Sequence, residues 1–182
     1  MEDSVLAVEF YSFLDEETEF ISYSVEFDLV NVNSDERTTI GYASLYFINT
    51  FSKNSWFDIR DAADGISGDM SHLIYELEDV LQQESDFLGL LAILDHLQIN
   101  KAYRGKGLGS KALIEIVEYL ETLSIDYLAL IPSAFEEKDE EKKQIDIQRL
   151  IKFYNKFHLE VVNKQCESKP IMGRNLNHLV TI

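Results

Sequence analysis

Residues 87–131 constrain the fold of this chain more than any other stretch. Residues 87–99 are nearly continuous in apolar side chains, among them Leu88, Leu90, Leu91, Ala92, Ile93, Leu94, Leu97 and Ile99. Such a run, without alternation, suits a central strand covered on both faces. A polar, glycine-bearing turn follows. Residues 107–123 then place Leu108, Ala112, Leu113, Ile116, Val117 and Leu120 at helical spacing. A tight Ser124-Ile125-Asp126 link leads into a second short apolar strand over residues 127–131. Strand, helix and strand in this order imply a right-handed parallel crossover.

The flanking segments fix the class as a mixed α/β sheet, antiparallel early and parallel in the middle. In residues 20–30, Ile21, Tyr23, Val25, Phe27 and Leu29 alternate with Ser22, Ser24, Glu26 and Asp28. A period of two puts one face of that strand in the core and the other in water. Residues 5–14 and 38–49 are similar, and the turn formers of residues 31–36 close a hairpin between the second and third strands. A short helix is expected over residues 55–63 and a second over 69–82, with Asp69 as its cap and Met70, Leu73, Ile74, Leu77 and Leu81 as its buried stripe. Later, residues 136–143 read as a charged flexible loop. Residues 145–157 read as a helix, and 159–162 with 171–181 as two closing strands.

No linker divides the 182 residues, so a single domain is expected over 1–182. The net charge of −17 is unevenly placed: 21 acidic residues stand against 3 basic ones before residue 101, and 12 against 13 after it. Such a surface repels nucleic-acid backbones and anionic membranes, and it favours a cationic partner or serves solubility alone. No apolar run reaches the length of a membrane span, the acidic start lacks the blocks of a signal peptide, and one cysteine, Cys166, makes no internal disulfide. A soluble cytoplasmic protein is expected. His72, His96, His158 and His178 are scattered, so no metal is expected. Nothing near Cys166 in the sequence activates it as a nucleophile.

The turn itself carries the chemistry. A strand that runs into a glycine-rich turn and then a helix can hold a phosphate, because backbone N–H groups approach the anion and the helix start adds unpaired donors. Arg104, Lys106 and Lys111 add full positive charges there. The nucleotide P-loop spacing is absent, and Gly105-x-Gly107-x-Gly109 does not match the dinucleotide fingerprint.

The segment Arg104-Gly105-Lys106-Gly107-Leu108-Gly109 resembles the signature Arg/Gln-x-x-Gly-x-Gly/Ala of the GNAT superfamily of acyl-CoA N-acyltransferases. The resemblance covers residues 86–180. It implies a GNAT-like fold with a coenzyme A-binding half over 86–182 and an acceptor-side half over 1–85. It also implies that backbone N–H groups of Lys106, Gly107, Leu108, Gly109 and Ser110 hold the pyrophosphate of coenzyme A. Leu97, Gln98 and Ile99 would pair with its pantetheine arm as an added strand does. Acetyl-CoA is thus the implied co-substrate.

Tyr154 stands where many members place the general acid for the leaving thiolate. Its setting, Phe153-Tyr154-Asn155-Lys156-Phe157-His158-Leu159, resembles the family's Tyr-x-x-x-Gly-Phe, with His158 and Leu159 replacing the last two residues. The other reading is a core tyrosine on an apolar helix stripe. Asp95 is an ionisable residue inside an apolar strand. Burial would raise its pKa and make it a base toward an ammonium acceptor; a structural aspartate or a wet sheet edge are the alternatives. By strand parity Asp95 shares a face with Leu97 and Ile99, and His96 points to the other face.

The implied activity is direct transfer of an acetyl group to a primary amine, on a small molecule or on a protein lysine or N-terminus. The acidic first half favours a cationic acceptor such as a polyamine. Members usually carry two helices between their first two strands, whereas here the helical residues fall just before the central strand. A catalytically inactive coenzyme A-binding or protein-interaction module is the alternative. A homodimer is compatible with the sequence.

Overall fold

The computed structural model describes residues 4–52, 55–84, 89–134, 137, 139–163 and 169–176. Three long antiparallel strands come first: β1 (Ser4–Leu14), β2 (Ile21–Asn31) and β3 (Arg37–Asn49). Two helices follow, α1 (Trp56–Ile66) and α2 (Gly68–Glu84). Then come β4 (Leu90–Ile99), α3 (Leu108–Thr122), β5 (Tyr127–Leu130), α4 (Glu140–Asn155), β6 (Glu160–Val161) and β7 (Met172–Asn175). The strands form one seven-stranded sheet in the order β1-β2-β3-β4-β5-β7-β6. Among the described strands only β4 and β5 run parallel, as the strand-helix-strand reading requires.

Each face of the sheet has its own core. On one face, α3 and α4 pack Leu113, Ile116, Leu120 and Tyr154 against Val25, Leu45, Leu94 and Leu128. On the other, α1 and α2 pack Ile59, Leu73, Ile74 and Leu77 against Ile48, Leu91, Ile93 and Ala129. Leu91, Ala92, Ile93 and Leu94 of β4 are almost wholly buried, because both layers cover them. Phe10 on β1 stacks on Tyr119 of α3 at 3.8 Å between ring centroids, which ties the first strand to the crossover helix.

Several helix limits differ from the pattern reading, and caps explain the differences. Ser55 caps α1 by accepting from the Asp58 N–H. Ser67, not Asp69, starts α2: its hydroxyl accepts from the Met70 N–H at 3.1 Å while its own N–H donates to Ala63. One residue therefore ends the first helix and opens the second, and Asp69 lies inside the first turn. At α4 the acidic run is helix, not loop, from Glu140 onward. Asp139 accepts from the N–H groups of Glu141 and Lys142, and carboxylates in a first turn are favoured by the helix dipole.

The closing strands are shorter than expected, and β7 inserts between β5 and β6, antiparallel to both. Residues 177–181, Cys166, His178 and residues 85–88, 136 and 138 lie outside the described residues.

His158 has φ of 60°, the left-handed region, just after α4. The backbone keeps the turn that glycine favours at this point, although the side chain is imidazole. His158→Gly is expected to stabilise the protein by about 0.5–1 kcal/mol, because a non-glycine residue is strained there. Urea unfolding of the two proteins would measure it.

Candidate functional site

The site forms where β4 outruns β5. The two strands pair only from Leu91–Tyr127 to Leu94–Leu130. Beyond that, β4 continues to Ile99 while Pro132, which has no N–H to donate, follows the end of β5. The seam between the strands opens there.

A β-bulge sits at the same point. Leu45 of β3 faces Leu94, and Ser44 faces His96, so Asp95 is the extra residue. A bulge resets the alternation of a strand. Leu97 and Ile99 accordingly pack with Leu94 in the α3/α4 layer. Asp95 instead turns with His96 toward the α1/α2 side. Its carboxylate accepts from the Ser44 hydroxyl at 3.1 Å and lies 2.9 Å from His96 Nδ1. Two expectations are thereby corrected. Asp95 does not share a face with Leu97 and Ile99, and His96 is its partner rather than its opposite. Nor is Asp95 buried: 36% of its side chain is exposed, because the bulge lifts it out of the ladder at the open seam.

Two cavities meet at this bulge. One, of about 300 Å³, lies between the start of α2 and β4, and includes Tyr46, Met70, Leu73, Asp95 and His96 in its wall. Burial, with the charge of Asp95 adding to it, pushes the pKa of the Tyr46 phenol up. The other is a groove of about 470 Å³ that runs along Leu97, Gln98 and Ile99 to Lys101 and Arg104. His96 and Ser133 line both. Opposite β4 the groove is walled by Asp146, Arg149 and Leu150 of α4.

Beyond Arg104 stands the glycine turn. Gly105 and Gly107 have φ of 75° and 77°, a conformation in which other residues are strained. Gly107 is the N-cap of α3, and no side chain caps that helix end. The first-turn N–H groups of α3 therefore lack the side-chain acceptor that the starts of α1, α2 and α4 possess. Arg104 folds back, its Nε donating to the Ile99 carbonyl at 2.6 Å. Lys106 Nζ donates to the Ala102 carbonyl at 3.0 Å and lies 5.3 Å over the Tyr103 ring.

The structure thus places Leu97, Gln98, Ile99 and Arg104 along one groove. Gly105, Lys106, Gly107, Leu108, Gly109 and Ser110 form the turn and helix start that follow it. Asp95 stands at the junction of groove and cavity. Tyr154 lies on α4 in the core layer beneath, 7% exposed, and borders neither space. Burial pushes its pKa up to about 12. Its hydroxyl makes no hydrogen bond among the described residues.

Sequence reasoning missed Lys101, Arg149 and His96. Lys101 follows the apolar strand directly and could have been counted with Arg104. Arg149 lies fifty positions from β4 and nothing local marks it. Among the described residues no group of side chains could hold a metal ion, and no helix is long and apolar enough to cross a membrane.

No family model and no curated protein sequence matches the chain. Solved structures do. A mosquito arylalkylamine N-acetyltransferase-like 5b protein matches with a TM-score of 0.52 at 12% identity, over 82% of this chain and 74% of its own. A domain from Methanocaldococcus jannaschii matches with a TM-score of 0.50 at 10% identity, over 95% and 99%. Naa50 from Arabidopsis thaliana, solved with the bisubstrate analogue CoA-Ac-MVNAL, matches at 0.43 and 14% identity, over 84% and 72%. The chain has the GNAT acetyltransferase fold, with its two helices placed between the third and fourth strands.

Proposed function

We propose that the protein is an N-acyltransferase that moves an acetyl group from acetyl-CoA directly to a primary amine. The observation that carries this reading is the meeting of groove and cavity at the opened β4–β5 seam, where His96 and Ser133 face both. Direct transfer needs donor and acceptor to approach at one point, and they would meet at this seam. The whole chain would act as one domain, with residues 86–182 on the donor side and residues 1–85 on the acceptor side.

The residues of the groove fit coenzyme A. Lys101 and Arg104 supply positive charge, Arg149 is paired with Asp146 at 2.8 Å in the same wall, and the uncapped start of α3 supplies backbone donors for an anion. When bound, acetyl-CoA supplies an activated acyl group as its thioester. The edge of β4 at Leu97, Gln98 and Ile99 would take up the pantetheine arm by backbone pairing. Lys106, Gly107, Leu108, Gly109 and Ser110 would bind the pyrophosphate through their N–H groups. A backbone N–H near Leu97 would donate to the thioester carbonyl as negative charge develops on its oxygen. Asp95 and His96 act together as the proton acceptor for the incoming amine: the carboxylate orients the imidazole, and the imidazole reaches the junction. Tyr154, one helical turn beyond the groove-lining Leu150 on α4, would donate the proton that the departing sulfur needs. Amines on small molecules and on protein N-termini or lysines are both primary amines of the required kind.

Thermal unfolding with coenzyme A species tests the donor side. At about a hundredfold excess over Kd, acetyl-CoA should raise Tm by roughly 5–10 °C. No shift with acetyl-CoA, longer acyl-CoAs or free coenzyme A would overturn the reading. A shift without thiol release in the presence of any amine would mark a binding module instead.

A further inference from the structure

The cavity beside the bulge differs in character from the acidic surface around it. Ile66, Met70 and Leu73 wall it from the helices, Ile93 from β4 and Ile131 from the segment after β5. Two carboxylates reach it, and they are not equivalent. Asp69 stands 2.7 Å from Lys169 Nζ, so an ion pair already balances its charge. Asp95 has no lysine or arginine partner among the described residues. Its neighbours are the Ser44 hydroxyl and His96, and it faces the junction with the groove.

This arrangement accepts one positive charge, at the bulge. A second ammonium pushed further in would lie against Met70, Leu73 and Ile93, desolvated and unpaired. An apolar body in the same place gains by leaving water. The volume of about 300 Å³ is at the low end for a small-molecule site. Among the described residues, the acidic side chains of the first half that line the cavity are Asp69, already paired, and Asp95, so the excess of acidic residues there brings it one carboxylate without a lysine or arginine partner.

We propose that this cavity is the acceptor site and that it takes a small primary amine with a single charge and a compact apolar body. The amino group would sit at Asp95 and His96, with the body against Met70 and Leu73. The inference rests on the acyl-transfer reading above. The ammonium loses one proton to solvent by way of His96. The neutral nitrogen then bonds to the acyl carbon and the carbon–sulfur bond breaks. The second nitrogen proton that is lost balances the one delivered to sulfur.

The test measures thiol release at fixed acetyl-CoA with phenethylamine, hexylamine, spermidine and a tetrapeptide with a free N-terminus. Phenethylamine and hexylamine should give kcat/KM at least about tenfold above spermidine and the peptide. Met70→Trp and Leu73→Trp, which fill the cavity from two positions, should each raise KM for hexylamine about tenfold or more. The Tm shift with acetyl-CoA should persist in both variants, which also shows that they fold. Preference for spermidine or the peptide, or an unchanged amine KM in folded wall variants, would overturn the acceptor assignment while the acetyl-CoA shift left the donor reading intact. Loss of that shift in the unaltered protein would remove the donor reading itself.

Discussion

Replacing Tyr154 with phenylalanine should lower the kcat of acyl transfer by about 100- to 1,000-fold. The Tm shift caused by acetyl-CoA should stay as it is. The substitution removes one oxygen and leaves the ring that packs in the α3/α4 layer. Burial pushes the pKa of the phenol up to about 12, so it is protonated throughout the neutral range, the form that the proposed role requires. It also makes no internal hydrogen bond among the described residues that would compete for the proton. If Tyr154 were only a core side chain, kcat would fall by less than about threefold.

The same shift gives an independent signature in stability. The folded pKa of Tyr154 lies above the ordinary value of 10.0. Its contribution is therefore fully present below pH 10 and is lost as pH rises toward about 12, because the unfolded chain releases the phenolic proton first. Tyr154→Phe should remove that alkaline loss. Urea titrations at several alkaline pH values would read it without any substrate.

Gly173→Ala should destabilise the protein by about 2–4 kcal/mol, seen as a fall in Tm of roughly 5–15 °C. Gly173 lies in β7 opposite Ala129 of β5 and Glu160 of β6. The Tyr127 ring covers it, and a Cβ there would stand 2.8 Å from two ring carbons and nearer still to the hydroxyl. Tyr127 is 6% exposed, so its ring has nowhere to move without disturbing the α1/α2 layer. In Tyr127→Ala the obstacle is gone, and the same glycine substitution should cost much less. That non-additivity separates a steric clash from a lost strand preference. The position matters for the site because β7 holds β5 from one side while β4 parts from it on the other.

The sequence by itself determined what depends on neighbours along the chain. The alternation of Ile21, Tyr23, Val25, Phe27 and Leu29 is a strand wherever it lies. The stripe from Leu108 to Leu120 is a helix, and the left-handed backbone at Gly105 and Gly107 is met by glycine itself. The order of these elements was enough for a mixed sheet, antiparallel early, with one parallel pair.

Tertiary structure decided what depends on partners far along the chain. Asp95 changed faces because β3 pairs with β4 in a register that skips it, and that register is set by Ser44 and Leu45, some fifty residues away. No parity count along β4 alone reveals a bulge. Arg149 joined the groove because α4, which follows β5, lies across from the end of β4, and Ser67 joined two helices that spacing alone placed elsewhere. The cavity beside the bulge exists because the start of α2 closes on β4 there. The acidic excess describes the first half of the chain as a whole, whereas the cavity beside the bulge has Ile66, Met70, Leu73, Ile93 and Ile131 in its wall, because a cavity's chemistry is set by the few residues facing it rather than by the charge of the chain.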